Sequence, residues 1–254
     1  MLGAFFAYTF ITLFGWNYWI GAAAAIGCMF FVGNLVDRVV LRPVLGQPQF
    51  AIVMVTIGFG YVARSVAGMI PGWGTETYAI ETPFSSEGMQ LIPESMGTLV
   101  VAQTDLSVIV ATILLCIVLY LFFTYTKLGL AMQASSQNQL ASYYMGIPVK
   151  SVFSMIWGIS AAVAAAAGIL LAPTTLIDAN MGFIGLKAFP AAVLGGFGSI
   201  PGAVVGGIII GIIETLAGFY LPPGVKNVAA YVVLLVVLVV RPQGLFGEKT
   251  GKRV

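Results

Sequence analysis

An all-α fold, a polytopic bundle of membrane-crossing helices, is what this sequence predicts, and three observations carry the expectation. Hydrophobic residues make up 59% of the 254 and charged residues only 8%, whereas soluble domains carry about 25% charge. Mean hydropathy is +1.02. The apolar residues fall in long runs that approach the ~20 residues a helix needs to cross the hydrocarbon core. They lack the alternating segments of about ten residues that mark membrane β-barrel strands.

Taken in order, residues 1–14 form an apolar run too short to span. Clear spans follow at 17–36, 50–70, 106–125, 150–172, 203–220 and 225–241. The run at 186–200 is a further marginal crossing, and it opens the most informative stretch of the chain. Residues 188–214 hold Gly195, Gly196, Gly198, Gly202, Gly206, Gly207 and Gly211 among almost purely apolar neighbours, and end in Glu214. Each internal glycine costs a helix in water about 1 kcal/mol against alanine. Inside a membrane, the spacing of Gly198, Gly202 and Gly206, and of Gly207 and Gly211, lets backbones approach closely. Glycines also permit the broken backbone that lines transport pathways. The bundle is therefore expected to contain a discontinuous, glycine-rich segment.

Charge sets the sidedness. The 71–105 loop carries Glu76, Glu81, Glu87, Glu94 and Asp105 with no lysine or arginine, and is expected outside. Arg38, Arg42, Lys127, Lys150, Arg241, Lys249, Lys252 and Arg253 fall on the other side if every run crosses once, 186–200 included. This places the C-terminus in the cytoplasm. No basic segment precedes the first apolar run, so a secretory signal is not indicated.

Several function classes fall away. The net charge of +2, without a basic stripe, gives no footing for nucleic acid. With no histidine, the commonest general base and metal ligand is missing. Cys28 and Cys116 lie in apolar runs and read as small hydrophobes. GGFGSIPG has the wrong spacing and context for a dinucleotide fingerprint, and no phosphate loop of the GxxxxGK[ST] type occurs. Enzyme chemistry is not expected, the chain needs no cofactor of its own, and any coupling to ATP must come from another subunit.

The polar islands each admit two readings. The 127–150 loop is compatible with helix up to Gly146, where glycine and Pro148 stop it. Ala131, Ala134, Ala141 and Ser142 give it small-residue patches suited to a partner's groove, or it is an ordinary connecting helix resting on the membrane. Glu214 is an intramembrane carboxylate, and so a candidate for function or for a structural pair. Arg64 is a possible partner for it, or snorkels from the outer end of its helix. Thr56, with Gly58 and Gly60, makes a small polar notch in the second span; helix packing and solute contact both account for it.

Five segments resemble the branched-chain amino acid permeases of bacterial ABC importers, and the LivH-type half of the pair more than its LivM-type partner. They are VDRVVLRPVLGQPQF at 36–50, VTIGFG at 55–60, YYMGIPVKSV at 143–152, KAFPAAVLGGFGSIPGAVVGGIIIGIIE at 187–214 and RPQGLFG at 241–247. The resemblance implies a single permease domain, 1–254, in the bacterial inner membrane. It implies a second, LivM-like permease, two cytoplasmic ATPases that bind the ATP, and a periplasmic substrate-binding protein as partners, with the lipid bilayer around them. By it, 127–150 is the cytoplasmic coupling loop, with Ala134, Asn138, Ala141 and Gly146 as candidates for ATPase contact. The 71–105 loop becomes periplasmic, and Thr56, Phe189, Gly195, Gly196 and Glu214 become candidates for the translocation pathway.

Two departures are visible. The family opens with a further hydrophobic hairpin ahead of a segment like MLGAFFAY, so this chain reads as N-terminally shortened; a first run of 14 residues agrees with that. In the coupling loop, Gln133 and Asn138 stand where the family often carries an arginine and an acid. The expected cargo is a branched-chain or related hydrophobic amino acid, with urea or short amides as the alternative within the superfamily. An ion-coupled transporter using Glu214 and a non-transporting membrane scaffold are the rivals from other classes.

Overall fold

The computed structural model describes residues 1–44, 47, 49–74, 76–84, 88–90, 100–196, 198–222, 224–241 and 243–247. Glu87, Glu94, Pro242, Lys249, Lys252 and Arg253, all used above, lie outside these residues. The chain divides into two compact units, Met1–Met181 and Gly182–Val254.

In the first unit, α1 (Leu2–Tyr8) runs into a π-helical turn, Thr9–Leu13. Gly15, at φ +67°, reverses the chain, and the Asn17 side chain accepts from Trp19 N–H to start α2 (Tyr18–Val36). A second π-turn, Asp37–Leu41, and a 3₁₀ turn, Arg42–Val44, continue this helix without a break. The next elements are α3 (Gln49–Met69), α4 (Gln103–Tyr125), α5 (Lys127–Gln137), α6 (Gln139–Tyr144) and α7 (Val149–Thr175).

The axis of this unit is the packing of α2 on α7. Gly33 and Gly158 make it close. A methyl group on Gly33 would stand 2.5 Å from the Trp157 carbonyl oxygen, so any side chain there forces the helices apart. α1 seals one side, with Ala4, Phe5 and Ala7 fully buried against Ile169 and Ala172. The 71–105 loop is tacked down by Trp73, which stacks on Phe5 at 5.4 Å between centroids and donates from Nε1 to Thr9 Oγ1 at 2.8 Å. Leu176, at φ +59° and ψ 161°, ends α7 in a region that L-residues rarely adopt, at a cost of about 1–3 kcal/mol. That turn brings Ile177 back to pair with Tyr78 through two backbone hydrogen bonds of 2.8 and 2.9 Å. A short antiparallel pair, β1 (Gly88–Gln90) and β2 (Val100–Ala102), also lies in the loop, where no strand was expected.

The second unit comprises α8 (Gly182–Leu186), α9 (Ala188–Gly195), α10 (Ile200–Tyr220) and α11 (Val225–Val240). The expected crossing at 186–200 is not one continuous helix. α8 and α9 meet at Lys187, and α9 has only 8 residues, a rise of about 12 Å against the ~30 Å of a bilayer core. Gly196, at φ +99°, ends it. The Ser199 side chain then accepts from Gly202 N–H and starts α10. The sequence suggested six full spans. Among the described residues, five helices are long and apolar enough to cross. The sixth, α11, begins at Val225 as expected, just after Gly224 (φ +101°), but has only 16 residues.

Large apolar side chains cover the outside of these helices. Along the apolar window of α4 no residue is buried within the chain; Ile109, Ile113, Leu114, Ile117 and Val118 all stand more than half exposed. Such a surface is stable only against lipid or another apolar helix. The chain is a multi-pass, all-α membrane protein.

Candidate functional site

In the second unit, α9 lies along the first half of α10 at backbone contact. Added methyl groups on Gly195 or Gly202 would strike backbone atoms of the opposite helix, and one on Gly206 would strike the Ala191 carbonyl. Gly207 and Gly211, in contrast, face open space, so only part of the glycine spacing serves this packing. The tail that follows α11 closes the same end. Leu245 N–H donates to the Leu194 carbonyl at 2.8 Å and Phe246 N–H to that of Gly195 at 3.0 Å. Those are among the last carbonyls of α9, which its own helix cannot satisfy. Thus the end of α9 and the tail at Leu245 and Phe246 are joined by backbone hydrogen bonds.

At the other end of α9, Lys187 Nζ stands 3.0 Å from Glu214 Oε1, with side-chain exposures of 26% and 17%. This oxygen is buried and accepts no hydrogen bond of good geometry, so the contact is Coulombic. Glu214 lies 14 residues into α10, about 21 Å along its axis. The pair therefore sits well inside the helix length and pins the start of α9 against α10. Arg64 donates to Asn180 Oδ1. The sequence offered Arg64 as the counter-charge of Glu214; Lys187, at the edge of a marginal run, was the one overlooked. Phe189, in the first turn of α9, is 57% exposed. Gly195 and Gly196 are buried at the opposite end of that helix.

Thr56 belongs to the first unit. Its Oγ1 donates to the Val53 carbonyl at 2.8 Å, and it lines a cleft of about 330 Å³ with Phe59 of α3, Met29 and Gly33 of α2, and Trp157 and Ser160 of α7. Gly58 and Gly60 have nothing within 4 Å of where a Cβ would be, so neither supports a close packing contact within the chain. A second cavity, of about 520 Å³, is lined by Tyr18, Trp19, Thr82, Phe84, Gln103 and Ser107 among others. It gathers the start of α2, the start of α4 and the 71–105 loop.

The 127–150 loop is two helices rather than one. Asn138 adopts extended backbone (φ −152°, ψ 100°) between them, and its side chain accepts from Ala141 N–H at 3.0 Å to cap α6. Gln133 Nε2 donates to the Phe123 carbonyl at 3.1 Å. The two positions that depart from the family's charged pattern thus bond within the chain. Met132, Ser135 and Ser142 are buried. Ala134, Asn138, Ala141 and Gly146 are all exposed, Gly146 at φ +82°. The larger feature was missed by sequence reasoning. Leu140, Tyr143, Tyr144 and Met145 stand 65%, 67%, 78% and 83% exposed on one short helix and the turn after it. A run of large apolar residues inside a loop expected in water was the available signal.

Also missed was a polar cluster where α2 meets the start of α7. Asp37, 2% exposed, takes the Arg42 guanidinium at 3.2 Å and the Ser154 hydroxyl at 2.7 Å on the same Oδ2. Arg42 reaches on to Ser154 Oγ at 3.3 Å and to the Lys150 carbonyl at 3.4 Å.

The model of the family described as "Branched-chain amino acid transport system / permease component" matches residues 1–240. The permease protein LivH of a high-affinity branched-chain amino acid transport system in Salmonella typhimurium is 32% identical over 239 residues, covering 92% of this chain and 76% of its own. LivH of Escherichia coli K12 is 32% identical over 237 residues, with the same coverage. BraD of Pseudomonas aeruginosa, also a permease protein of such a system, is 30% identical over 235 residues, covering 91% and 75%. No solved structure matches. With a match running through nearly every described element, the chain belongs to the family of branched-chain amino acid transport permeases.

Proposed function

We propose that this chain is the membrane-spanning subunit of an importer that carries branched-chain amino acids across the bacterial inner membrane, driven by separate ATPase subunits. The observation that carries the energy-coupling half of this reading is the exposed face Leu140, Tyr143, Tyr144 and Met145. Four large apolar side chains on a loop between two spans are costly in water at about 25 cal/mol per Å², and a partner's groove removes that cost. The ATPases are the proposed occupants. Ala134, Asn138, Ala141 and Gly146 lie in the same contact region, and the C-terminus lies on the same, cytoplasmic side.

The pathway half of the reading rests on the broken crossing. Half-helices that start or stop within the membrane mark solute sites in transporters, because irregular backbone there is tolerated only where it lines a cavity or is buried in protein. Thr56, Phe189, Gly195, Gly196 and Glu214 are the proposed pathway positions. A second, LivM-like permease covers part of the apolar surface of α3 and α4, and a periplasmic binding protein delivers the solute to the face carrying the 71–105 loop. Against the ion-coupled reading stands the Lys187 ammonium, which already occupies the place beside Glu214 that a transported cation would need.

The test is uptake into proteoliposomes holding this chain with its partner subunits, across leucine, isoleucine, valine, urea and acetamide. The reading expects ATP-dependent uptake of the three amino acids and none without the ATPases. Uptake by the chain alone down an ion gradient would overturn it, and ATP-dependent uptake of urea or acetamide alone would correct the cargo.

A further inference from the structure

We infer that Asp37, Arg42 and Ser154 form a latch that carries movement of the 127–150 loop into the wall of the Thr56 cleft. The inference rests on the proposed coupling role of that loop. Three observations place the latch in the line of force.

The first is position. Lys150 closes the loop and opens α7, and its carbonyl accepts from Arg42 at 3.4 Å. Ser154, one turn further along α7, donates to Asp37 at 2.7 Å. The exit of the loop is thereby held to the end of α2, more than a hundred residues away in sequence. The second is local geometry. Asp37–Leu41 is a π-turn, and the extra residue in such a turn re-aims side chains, often at functional sites. Here it accompanies an Asp37 carboxylate buried to 2% exposure, with both of its partners on one oxygen. Charge-assisted bonds of this kind are short and directional, so the join transmits displacement instead of yielding to it.

The third is what lies behind the join. Gly33 and Gly158 hold α2 and α7 at backbone contact about one turn away from Asp37 and Ser154. Packed elements of this closeness move as a body. Gly33 and Trp157 belong to that contact, and both also line the cleft with Thr56 and Phe59. A pull on Lys150 therefore shifts two helices together and changes the width of the cleft. Without the latch, α7 can tilt or unwind at its first turn while α2 stays in place, so ATP would be spent without moving the cleft wall.

The experiment uses the full complex in proteoliposomes and reads leucine uptake per ATP hydrolysed, alongside basal ATPase activity and the thermal midpoint of the assembled complex. Ser154→Ala and Arg42→Gln are each expected to lower uptake per ATP by about two- to thirtyfold, the range seen for residues that tune coupling. Basal ATPase activity stays close to that of the unsubstituted complex, and so does the midpoint for Ser154→Ala; Arg42→Gln lowers the midpoint, because the buried Asp37 carboxylate loses its cation. Ser154→Thr, which keeps the hydroxyl, restores the ratio. Should Ser154→Ala fail to assemble, Arg42→Gln carries the test, since that side chain already reaches solvent at 37% exposure. An unchanged ratio in an assembled variant, or uptake and ATPase activity falling together in proportion, overturns the latch. If the unsubstituted complex shows no ATP-driven uptake, the importer reading itself fails, and that result is separate from the behaviour of the variants.

Discussion

Lys187 and Glu214 face each other at 3.0 Å across the point where the broken crossing restarts. Neither charge is tolerable alone among apolar neighbours, because an isolated ion in a membrane interior costs several kcal/mol. The pair thus serves as a clamp that fixes where α9 begins.

Removing one partner should destabilise more than removing both. Glu214→Gln and Lys187→Gln are each expected to lower the thermal midpoint in detergent, and the double variant to recover part of the loss. The coupling energy in the double-mutant cycle is expected to be about 0.5–3 kcal/mol. Transport should persist in the double variant in proportion to folded protein. Complete loss of transport in a well-folded double variant would make Glu214 a solute or ion site.

The glycines divide into two sets with opposite expected outcomes. Gly206→Ala drives a methyl into the Ala191 carbonyl, and is expected to cost about 1–3 kcal/mol as overpacking. Gly207→Ala and Gly211→Ala enter open space on the same helix and should be neutral or stabilising by up to about 1 kcal/mol. Thermal unfolding of the three single variants checks this. Equal effects at 206 and 207 would mean that α9 does not pack on α10 as described.

Docking through α6 has a signature distinct from folding. Tyr143→Ala and Met145→Ser remove exposed side chains, so stability should stay within about 0.5 kcal/mol. ATPase affinity should fall by about 1–2 kcal/mol or more per side chain if these are central contacts. A pull-down titration with the ATPase subunit measures it. Unchanged affinity in both variants would return the loop to a plain connector.

Asn138 is expected to act through its cap. Asn138→Ala should cost about 1 kcal/mol of local stability, visible as faster amide exchange across Gln139–Tyr144, while Asn138→Asp keeps the cap. If Asn138→Asp fraysthe helix as much as alanine does, the side-chain amide has another role.

Most of the architecture was legible because hydrophobic runs report membrane spans directly: the boundaries expected for α2, α3, α4, α7 and α10 fall within a few residues of the observed ones. The discontinuity at 186–200 was legible too, since clustered glycines disfavour a continuous helix. What stayed hidden was pairing. Nothing in the sequence singled out Lys187 until α9 brought it beside Glu214, or Asp37 until its burial beside Arg42 and Ser154 was seen. Which glycines are packed and which are open depends on helix facing, and spacing alone treats Gly206 and Gly207 alike. The 127–150 loop drew attention in the sequence only through its small residues. Its large exposed side chains stand out only when burial shows that nothing within the chain covers them.

The most direct test of the central claim is ATP hydrolysis by the reconstituted complex as leucine-loaded binding protein is added. The account predicts a several-fold rise that requires this chain and is lost when Leu140, Tyr143 and Met145 are all replaced by serine. Hydrolysis indifferent to the loaded binding protein, together with leucine uptake by this chain alone, would contradict it.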